Sequence, residues 1–165
     1  MGAVRVGLVG YGNAAKFHVP ALRQLGEERC DLVAVCGRSR ERADAFAREW
    51  GIPRAFGSMS EMLEGVELDA VDLVVPNHVH GQYIIEAARA GKHVICEKHL
   101  TGYFGPGNEC DASADGGRGH ARPTNDEQIG RTVPKAKMLD RVLEEVQGIG
   151  RALEESGVIF GYAEN

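Results

Sequence analysis

Short apolar runs alternate along the chain with longer stretches in which apolar positions recur every three or four residues. The short runs predict five strands, over 4–9, 31–36, 70–75, 93–96 and 158–163. Because these runs hardly alternate in polarity, both faces of each strand should be buried, which is typical of a parallel sheet covered by helices on both sides. The alternation of strand and helix therefore predicts an α/β fold with a doubly wound parallel sheet.

Predicted helices are marked by their end residues. Four stretches have a serine or proline at the start or a glycine at the end: 39–51, 58–61, 81–91 and 132–157. Ser58 and Glu61 in addition form a capping box. In the last stretch a stripe with helical spacing is expected to lie on the sheet: Met138, Val142, Val146, Ile149 and Leu153.

Residues 102–130 interrupt this alternation. They hold seven of the 22 glycines, two prolines and few apolar residues, so we predict a loop-rich insertion without secondary structure. A chain of 165 residues is long enough for one well-packed core. We therefore expect a single domain over 1–165 that contains this insertion.

The charge balance argues against nucleic acid as a partner. The chain has 24 acidic and 19 basic side chains and a formal net charge of -5. Its basic residues are spread along the sequence, apart from the short cluster Arg38, Arg40 and Arg42. A nucleic-acid surface requires a larger basic patch.

The four cysteines, Cys30, Cys36, Cys96 and Cys110, lack the paired spacing of a metal or redox site. We expect reduced thiols, as in a cytoplasmic protein. No apolar run approaches the length of a membrane-spanning helix, and glycines interrupt the N-terminal run where a signal peptide needs an unbroken apolar core. The sequence therefore predicts a cytoplasmic protein without a membrane partner.

A glycine-rich turn follows the first predicted strand, in the segment GLVGYGNAAKFH. In Gly10-x-Gly12-x-x-Ala15 the first glycine permits a tight turn, and the second lets a pyrophosphate approach the backbone. The small alanine lets the helix pack on the strand, and the N–H groups of its first turn attract phosphate. Glycine turns also occur for structural reasons alone, but the position between the first strand and a helix favours a dinucleotide site.

The end of the second predicted strand indicates which dinucleotide binds. A site for NAD usually has Asp or Glu there to accept from the ribose 2′-OH, whereas Asp31 lies at the strand's beginning. Arg38 and Ser39 at its end can bind a 2′-phosphate, which favours NADP as the cofactor, with NAD as the alternative. The other interpretation is that Ser39 only caps the next helix and that Arg38 is a solvated surface residue.

A family resemblance is carried by three stretches: VGLVGYGNAAKFHVPAL, VDLVVPNHVHGQYIIEAARAGKHVICEKHL and, less specifically, SGVIFGYAEN. They resemble the N-terminal half of the glucose-fructose oxidoreductase, inositol dehydrogenase and rhizopine catabolism family (Gfo/Idh/MocA). The second is the most specific, because Pro-Asn-x-x-His followed by a glycine-ended helix and Glu-Lys-Pro recurs in that family. The resemblance implies a Rossmann domain that binds NAD or NADP. It implies these cofactor-binding residues: Gly7, Gly10, Gly12, Asn13 and Ala15 in the phosphate loop, Pro76, Asn77 and His80 beside the ribose, and Glu97 of the Glu-Lys-Pro motif.

Lys98 matches the lysine of the Glu-Lys-Pro motif, which the resemblance assigns to the nicotinamide and the substrate hydroxyl. A lysine just after the carboxyl end of a parallel strand projects into the crevice where ligands bind, so we predict that Lys98 is catalytic. Without the flanking motif, a surface lysine paired with Glu97 would be the simpler interpretation. His99 stands where the family has proline, so the fixed φ that helps to aim the lysine is lost.

Family members continue into a second domain that supplies the substrate pocket. We expect that domain to be absent here, so that the chain is either a fragment of a longer enzyme or a natural truncation. The resemblance implies an NAD(P)-dependent oxidoreductase that transfers hydride between nicotinamide and a hydroxyl-bearing carbon of a sugar or cyclitol. The oligomeric state is left open, with a homo-oligomer as one alternative. The alternative is a non-catalytic nucleotide-binding module or a degenerate remnant.

Patterns for metals and hydrolysis are weak. His78-x-His80 has no acidic or cysteine cluster beside it, and the EF-hand-like run from Asp111 has Arg122 where a glutamate is required. His120 has no nucleophile in a recognisable elbow. We therefore predict neither a metal site nor a hydrolytic triad.

Overall fold

Six parallel strands form the centre of the molecule. The computed structural model describes residues 2–103 and 131–163. The strands are β1 (Val4–Val9), β2 (Cys30–Cys36), β3 (Arg54–Phe56), β4 (Ala70–Leu73), β5 (His93–Glu97) and β6 (Phe160–Ala163). They are hydrogen-bonded in the order β3-β2-β1-β4-β5-β6, and every pair is parallel. The prediction of a parallel sheet is confirmed.

Helices cover both faces of this sheet. They are α1 (Ala15–Arg23), α2 (Arg40–Trp50), α3 (Met59–Gly65), α4 (His80–Arg89) and α5 (Lys135–Ser156), with a 3₁₀ turn at Asn77–Val79 before α4. On one face α1 and α2 contribute Val19 and Phe46 to the core. On the other face α3, α4 and α5 contribute Met62, Ile84 and Ile149. This is the doubly wound arrangement that the alternation of elements predicts.

The predicted caps of α2, α3 and the end of α5 agree with the structure, whereas α4 ends at Arg89, before the predicted Gly91, and α5 begins at Lys135, after the predicted Thr132. Ser39 Oγ and Ser58 Oγ each accept a hydrogen bond from the backbone N–H three residues further on, at 3.3 and 3.1 Å. The Glu61 carboxylate accepts from the N–H of Gly57 at 3.0 Å, one residue before the position that a capping box predicts. Helices α2 and α5 end, as predicted, at glycines in the left-handed conformation.

The sequence analysis missed β3. This strand has only three residues, and Arg54 is exposed at its start, so no apolar run marks it. Its position is set by pairing with β2 at the edge of the sheet. Such pairing is a contact between distant residues that hydrophobic periodicity does not report.

The structure corrects the predicted orientation of the long C-terminal helix. α5 packs on α4, but it has 22 residues against 10, so α4 can support less than half of it. Of the predicted stripe only Ile149 is buried, and Val146 is 38% exposed. Leu139 and Leu143 are also exposed, at 57% and 47%. The stripe therefore does not lie on the sheet along its whole length.

Two other predictions concern residues that the structure does not describe. The loop-rich insertion over 102–130 falls almost wholly outside the described residues, as do Cys110, Asp111, His120 and Arg122. A single domain over 1–165 consequently stays a prediction. Within 2–103 and 131–163, no helix is both long enough and apolar enough to cross a membrane.

Candidate functional site

The candidate site lies where the chain reverses its direction across the sheet. After β1 the chain builds outward to β2 and β3, and it then returns to place β4 on the other side of β1. The carboxyl ends of neighbouring parallel strands diverge there and leave a crevice in which α/β proteins bind ligands. The segments that follow β1, β2, β4 and β5 carry nearly all of the predicted site residues.

The glycine-rich turn after β1 has the geometry that the motif predicts. Gly10 has φ +109°, and a Cβ there would lie 2.6 Å from the carbonyl oxygen of Val74. Its N–H donates to the carbonyl oxygen of Cys36 at 2.9 Å, which ties the turn to β2. Gly12 is exposed, and a Cβ there would meet nothing within 4 Å, so the backbone has open space beside it. Ala15 is fully buried where α1 meets the sheet.

Gly7 lies within β1 and not in the turn, which corrects its predicted place in the phosphate loop. A Cβ at Gly7 would lie 2.8 Å from side-chain atoms of both Leu68 and Met62. The missing side chain therefore makes room for α3 to pack on the sheet. The glycine that precedes the motif by three residues is explained by core packing.

The N-terminus of α1 follows the glycine-rich turn at the edge of the sheet where the crevice opens. No side chain caps this end, and its first turn carries no acidic residue. Asn13 is exposed beside it. The N–H groups of Lys16 and Phe17 donate to the carbonyl oxygens of Asn13 and Ala14, at 3.1 and 2.9 Å, so the positive end of the helix dipole is what favours an anion here. This end fits the pyrophosphate of a dinucleotide.

The end of β2 carries basic and hydroxyl groups. Arg38 is exposed, and Ser39 is half-buried as the N-cap of α2. The Ser39 N–H donates to the hydroxyl of Tyr11 at 3.1 Å, and the Arg42 guanidinium lies 5.0 Å from the centre of the same ring. Asp31 lies at the opposite end of β2. This arrangement fits a 2′-phosphate, and the sequence analysis missed Tyr11, the residue between the two motif glycines.

The loops after β4 and β5 are joined by side chains that the motif contains. The Asn77 amide donates to His99 Nδ1 at 3.2 Å. His80 is fully buried, with Nδ1 2.8 Å from the carbonyl oxygen of His99 and Nε2 2.9 Å from that of Val75. His80 was predicted beside the ribose, but its ring nitrogens face backbone carbonyls. Any influence on a ligand therefore passes through the two loops, of which Pro76 is an exposed part.

A chain of ionisable groups, which the sequence analysis missed, runs beneath the crevice. His18 on α1 lies with Nδ1 2.8 Å from Asp72 on β4 and Nε2 3.0 Å from Glu97 at the end of β5. The hydrogen bond to Asp72 is the main reason that the pKa of His18 rises to about 9, and burial opposes it. The hydrogen bond from His18 lowers the pKa of Glu97. The available signal was Asp72, a single carboxylate within an apolar strand.

The raised pKa of His18 predicts a loss of stability in alkaline solution. A base that binds its proton more tightly when folded stabilises the fold fully below its ordinary pKa near 6.5, and this contribution is lost as the pH rises through about 9. We expect the difference in free energy of unfolding between the wild type and His18→Gln to shrink between those two values. Urea unfolding at a series of pH values measures it, and a difference independent of pH would contradict the assignment.

Lys98 follows β5 directly and is exposed. Its backbone N–H donates to Glu97 Oε2 at 3.0 Å, so the two motif residues are joined through backbone and side chain. The peptide bond between Lys98 and His99 is cis. Among the residues described, no group of three or more His, Cys, Asp or Glu side chains could hold a metal ion.

Comparisons with known proteins agree with this geometry. Residues 4–114 match the Gfo/Idh/MocA oxidoreductase family with an NAD-binding Rossmann fold. The uncharacterized oxidoreductase ORF334 of Rhizobium meliloti is 42% identical over 102 residues, 61% of this chain and 30% of that protein. The D-xylose 1-dehydrogenase (NADP(+)) 2 of Haloferax volcanii is 40% identical over 90 residues, 54% of this chain and 27% of that protein.

Solved structures share the fold. The WlbA dehydrogenase from Bordetella pertussis, in complex with NADH and UDP-GlcNAcA, superposes with a TM-score of 0.69 at 26% identity over 98% of this chain and 37% of that one. The chain thus spans about a third of the length of the relatives that it matches. The predictions of the family and of a Rossmann domain for a nicotinamide dinucleotide are confirmed: this chain belongs to the Gfo/Idh/MocA oxidoreductase family.

Proposed function

We propose that the chain is the NADP-binding part of an oxidoreductase that transfers hydride between nicotinamide and a hydroxyl-bearing carbon of a sugar or polyol. The observation that carries the proposal is the shared edge of one sheet on which the Gly10 turn, the uncapped α1 and Lys98 meet. The family match and the xylose dehydrogenase relative support the class of reaction.

Each predicted residue has a role in this proposal. Gly10, Gly12 and Asn13 hold the pyrophosphate with the N–H groups of α1, while Ala15 keeps that helix against the sheet. Arg38 and Ser39 bind the 2′-phosphate, and the absence of a carboxylate from 37–40 leaves nothing there to repel it.

The loop residues shape the other end of the site. Pro76 and Asn77 lie beside the ribose and nicotinamide. His80 and Glu97 act on the cofactor indirectly, since their polar atoms are engaged with backbone and with His18. Both residues therefore fix the loops that the cofactor touches.

Lys98 is proposed to accept the proton of the substrate hydroxyl during oxidation and to donate it in the reverse direction. In the direction of oxidation, the amine of Lys98 accepts the hydroxyl proton as the carbon–oxygen double bond forms. The bound cofactor supplies the hydride acceptor for this reaction. An exposed lysine at the carboxyl end of β5 can reach a ligand in the crevice without displacing the core.

A direct assay tests the proposal. The complete oxidoreductase that contains this chain is incubated with NADP⁺ and a panel of sugars and polyols, and NADPH formation is followed by absorbance. Because a further domain is expected to supply the substrate pocket, we expect turnover with at least one substrate in the complete oxidoreductase that contains this chain, and a loss of about a hundredfold there in Lys98→Ala. Lys92→Ala is the matched control, because Lys92 precedes the other end of β5. A complete protein that binds NADPH but forms no NADPH from NADP⁺ with any member of the panel would favour the non-catalytic module.

Two further expectations belong to this proposal. The described cysteines Cys30, Cys36 and Cys96 are free and buried, which supports a reducing compartment such as the cytoplasm.

The exposed apolar residues of α5, Leu139 and Leu143, support self-association, because exposed apolar stripes mark contact surfaces. Sedimentation velocity should give a mass above the monomer that falls towards it in Leu139→Lys, and a monomeric wild type would contradict the assembly.

A further inference from the structure

We propose that His18 is a positioning residue for Lys98: from α1 it holds the Glu97 side chain, which in turn holds the backbone of Lys98. This inference rests on the proposed function only for the use of Lys98 in the reaction. The link itself consists of contacts within the chain. It joins the helix whose N-terminus is proposed to bind the pyrophosphate to the residue proposed to handle the substrate proton.

The first contact fixes the imidazole ring. Asp72 lies in β4 between β1 and β5, and its side chain is only 1% exposed. A carboxylate buried in this way is costly unless it has a hydrogen-bonding partner of opposite charge. His18 Nδ1 is that partner at 2.8 Å, so the ring is held in one orientation beneath the crevice.

The second contact, between His18 and Glu97, fixes the orientation of the Glu97 carboxylate. With Nδ1 directed at Asp72, the opposite nitrogen Nε2 points to Glu97 Oε1 at 3.0 Å. The other carboxylate oxygen, Oε2, accepts the backbone N–H of Lys98, also at 3.0 Å. Both oxygens of Glu97 are therefore engaged. The exposed Lys98 ammonium forms no ion pair with this carboxylate in the described part of the chain, so it stays available to a ligand.

The charge of the cluster favours this geometry. A protonated His18 lies between two carboxylates, Asp72 on β4 and Glu97 on β5. The other titratable groups that sense these carboxylates are the Cys30 and Cys96 thiols, whose pKa values are raised mainly by burial, so both remain neutral. Lys98 also senses Glu97, and its positive charge contributes to the lowered pKa of that carboxyl. Removal of the imidazole would leave the carboxylates facing each other, and Glu97 would turn towards Lys98.

Two substitutions separate the contacts. In His18→Asn the side-chain amide nitrogen takes the place of Nδ1, so the bond to Asp72 is kept while Glu97 is out of reach. In His18→Gln the amide nitrogen takes the place of Nε2, so Glu97 is kept and Asp72 loses its partner. The control is His93→Gln, because His93 is an exposed histidine at the other end of β5 whose Nδ1 accepts from the N–H of Ile159.

The readout is the backbone amide of Lys98 in the full chain, labelled with ¹⁵N-lysine, assigned with Lys98→Arg and observed by NMR without any cofactor. We expect its chemical shift in the wild type to follow pH with a midpoint of about 9, the value for His18. In His18→Asn this transition should vanish, and exchange of the amide proton with solvent should accelerate about tenfold, as expected for a lost charge-assisted hydrogen bond.

His18→Gln should retain the slow exchange, and His93→Gln should match the wild type in both respects. A Lys98 amide that behaves identically in folded His18→Asn and in the wild type would overturn the inference. If His18→Asn does not fold, two other results together would overturn the inference. The Lys98 amide proton would lose its slow exchange in Glu97→Ala, and the chemical shift of the same amide in the wild type would not change with pH near 9.

NADPH titrations of the same samples keep the two proposals apart. A Lys98 amide that follows His18 in a chain that binds no dinucleotide would contradict the proposed function alone. Tight NADPH binding together with an amide insensitive to His18 would contradict the positioning role alone.

Discussion

Replacement of Gly10 by alanine is expected to lower the free energy of unfolding by about 3 kcal/mol and to abolish NADPH binding. The new methyl group would lie 2.6 Å from the carbonyl oxygen of Val74, which belongs to the backbone after β4 and cannot move aside cheaply. The backbone at Gly10 also has φ +109°, a conformation that residues with a side chain rarely adopt. Relief of either conflict moves the turn on which the pyrophosphate is proposed to lie.

Gly91→Ala is the matched control for this prediction. Gly91 has φ +68°, but a Cβ there would meet nothing within 4 Å. We therefore expect a cost of about 1 kcal/mol from backbone strain alone and no change in NADPH affinity. Urea unfolding and fluorescence titration measure both quantities. Equal destabilisation in the two variants would show that the contact between Gly10 and Val74 does not constrain the turn.

Arg38→Ala is expected to weaken NADPH binding about tenfold or more while leaving the affinity for NADH within about twofold. The two dinucleotides differ only in the 2′-phosphate, so a guanidinium that binds this group affects one and not the other. Arg38 follows β2 beside the N-cap Ser39, and the Arg42 guanidinium is directed towards the same place by its contact with Tyr11.

Arg48→Ala controls for the general effect of removing a positive charge. Arg48 belongs to the last turn of α2, at the far end of the helix that Ser39 caps. Both variants should be titrated at one fixed salt concentration, because ions screen charges on the surface. An equal loss of NADPH and NADH affinity in Arg38→Ala would indicate a general contribution to binding and would contradict recognition of the 2′-phosphate.

Local chemistry made most of the fold predictable from the sequence. Strands apolar on both faces indicated a parallel sheet, and Ser39 and Ser58 occur at the N-caps that their position suggested. These signals lie within a few residues of the structure that they specify. The edge strand β3 and the packing of α5 depend instead on which distant segments meet, and α5 is too long for α4 to cover.

The candidate site was predictable where a motif encodes backbone geometry. Gly10 is a glycine because no Cβ fits, and that requirement is visible as a spacing in the sequence. Gly7 obeys the same spacing for a different reason, since Leu68 and Met62 occupy the space beside it. The contacts of His18 span 54 and 79 positions along the chain, so only the fold brings them together.

The measurement that tests the central claim most directly is a fluorescence titration of the wild-type chain with NADPH and, separately, with NADH. We expect saturable binding of NADPH and markedly weaker binding of NADH, because the uncapped α1 takes the pyrophosphate and Arg38 with Ser39 reads the 2′-phosphate. Binding of neither dinucleotide by a chain that circular dichroism shows to be folded would contradict the account.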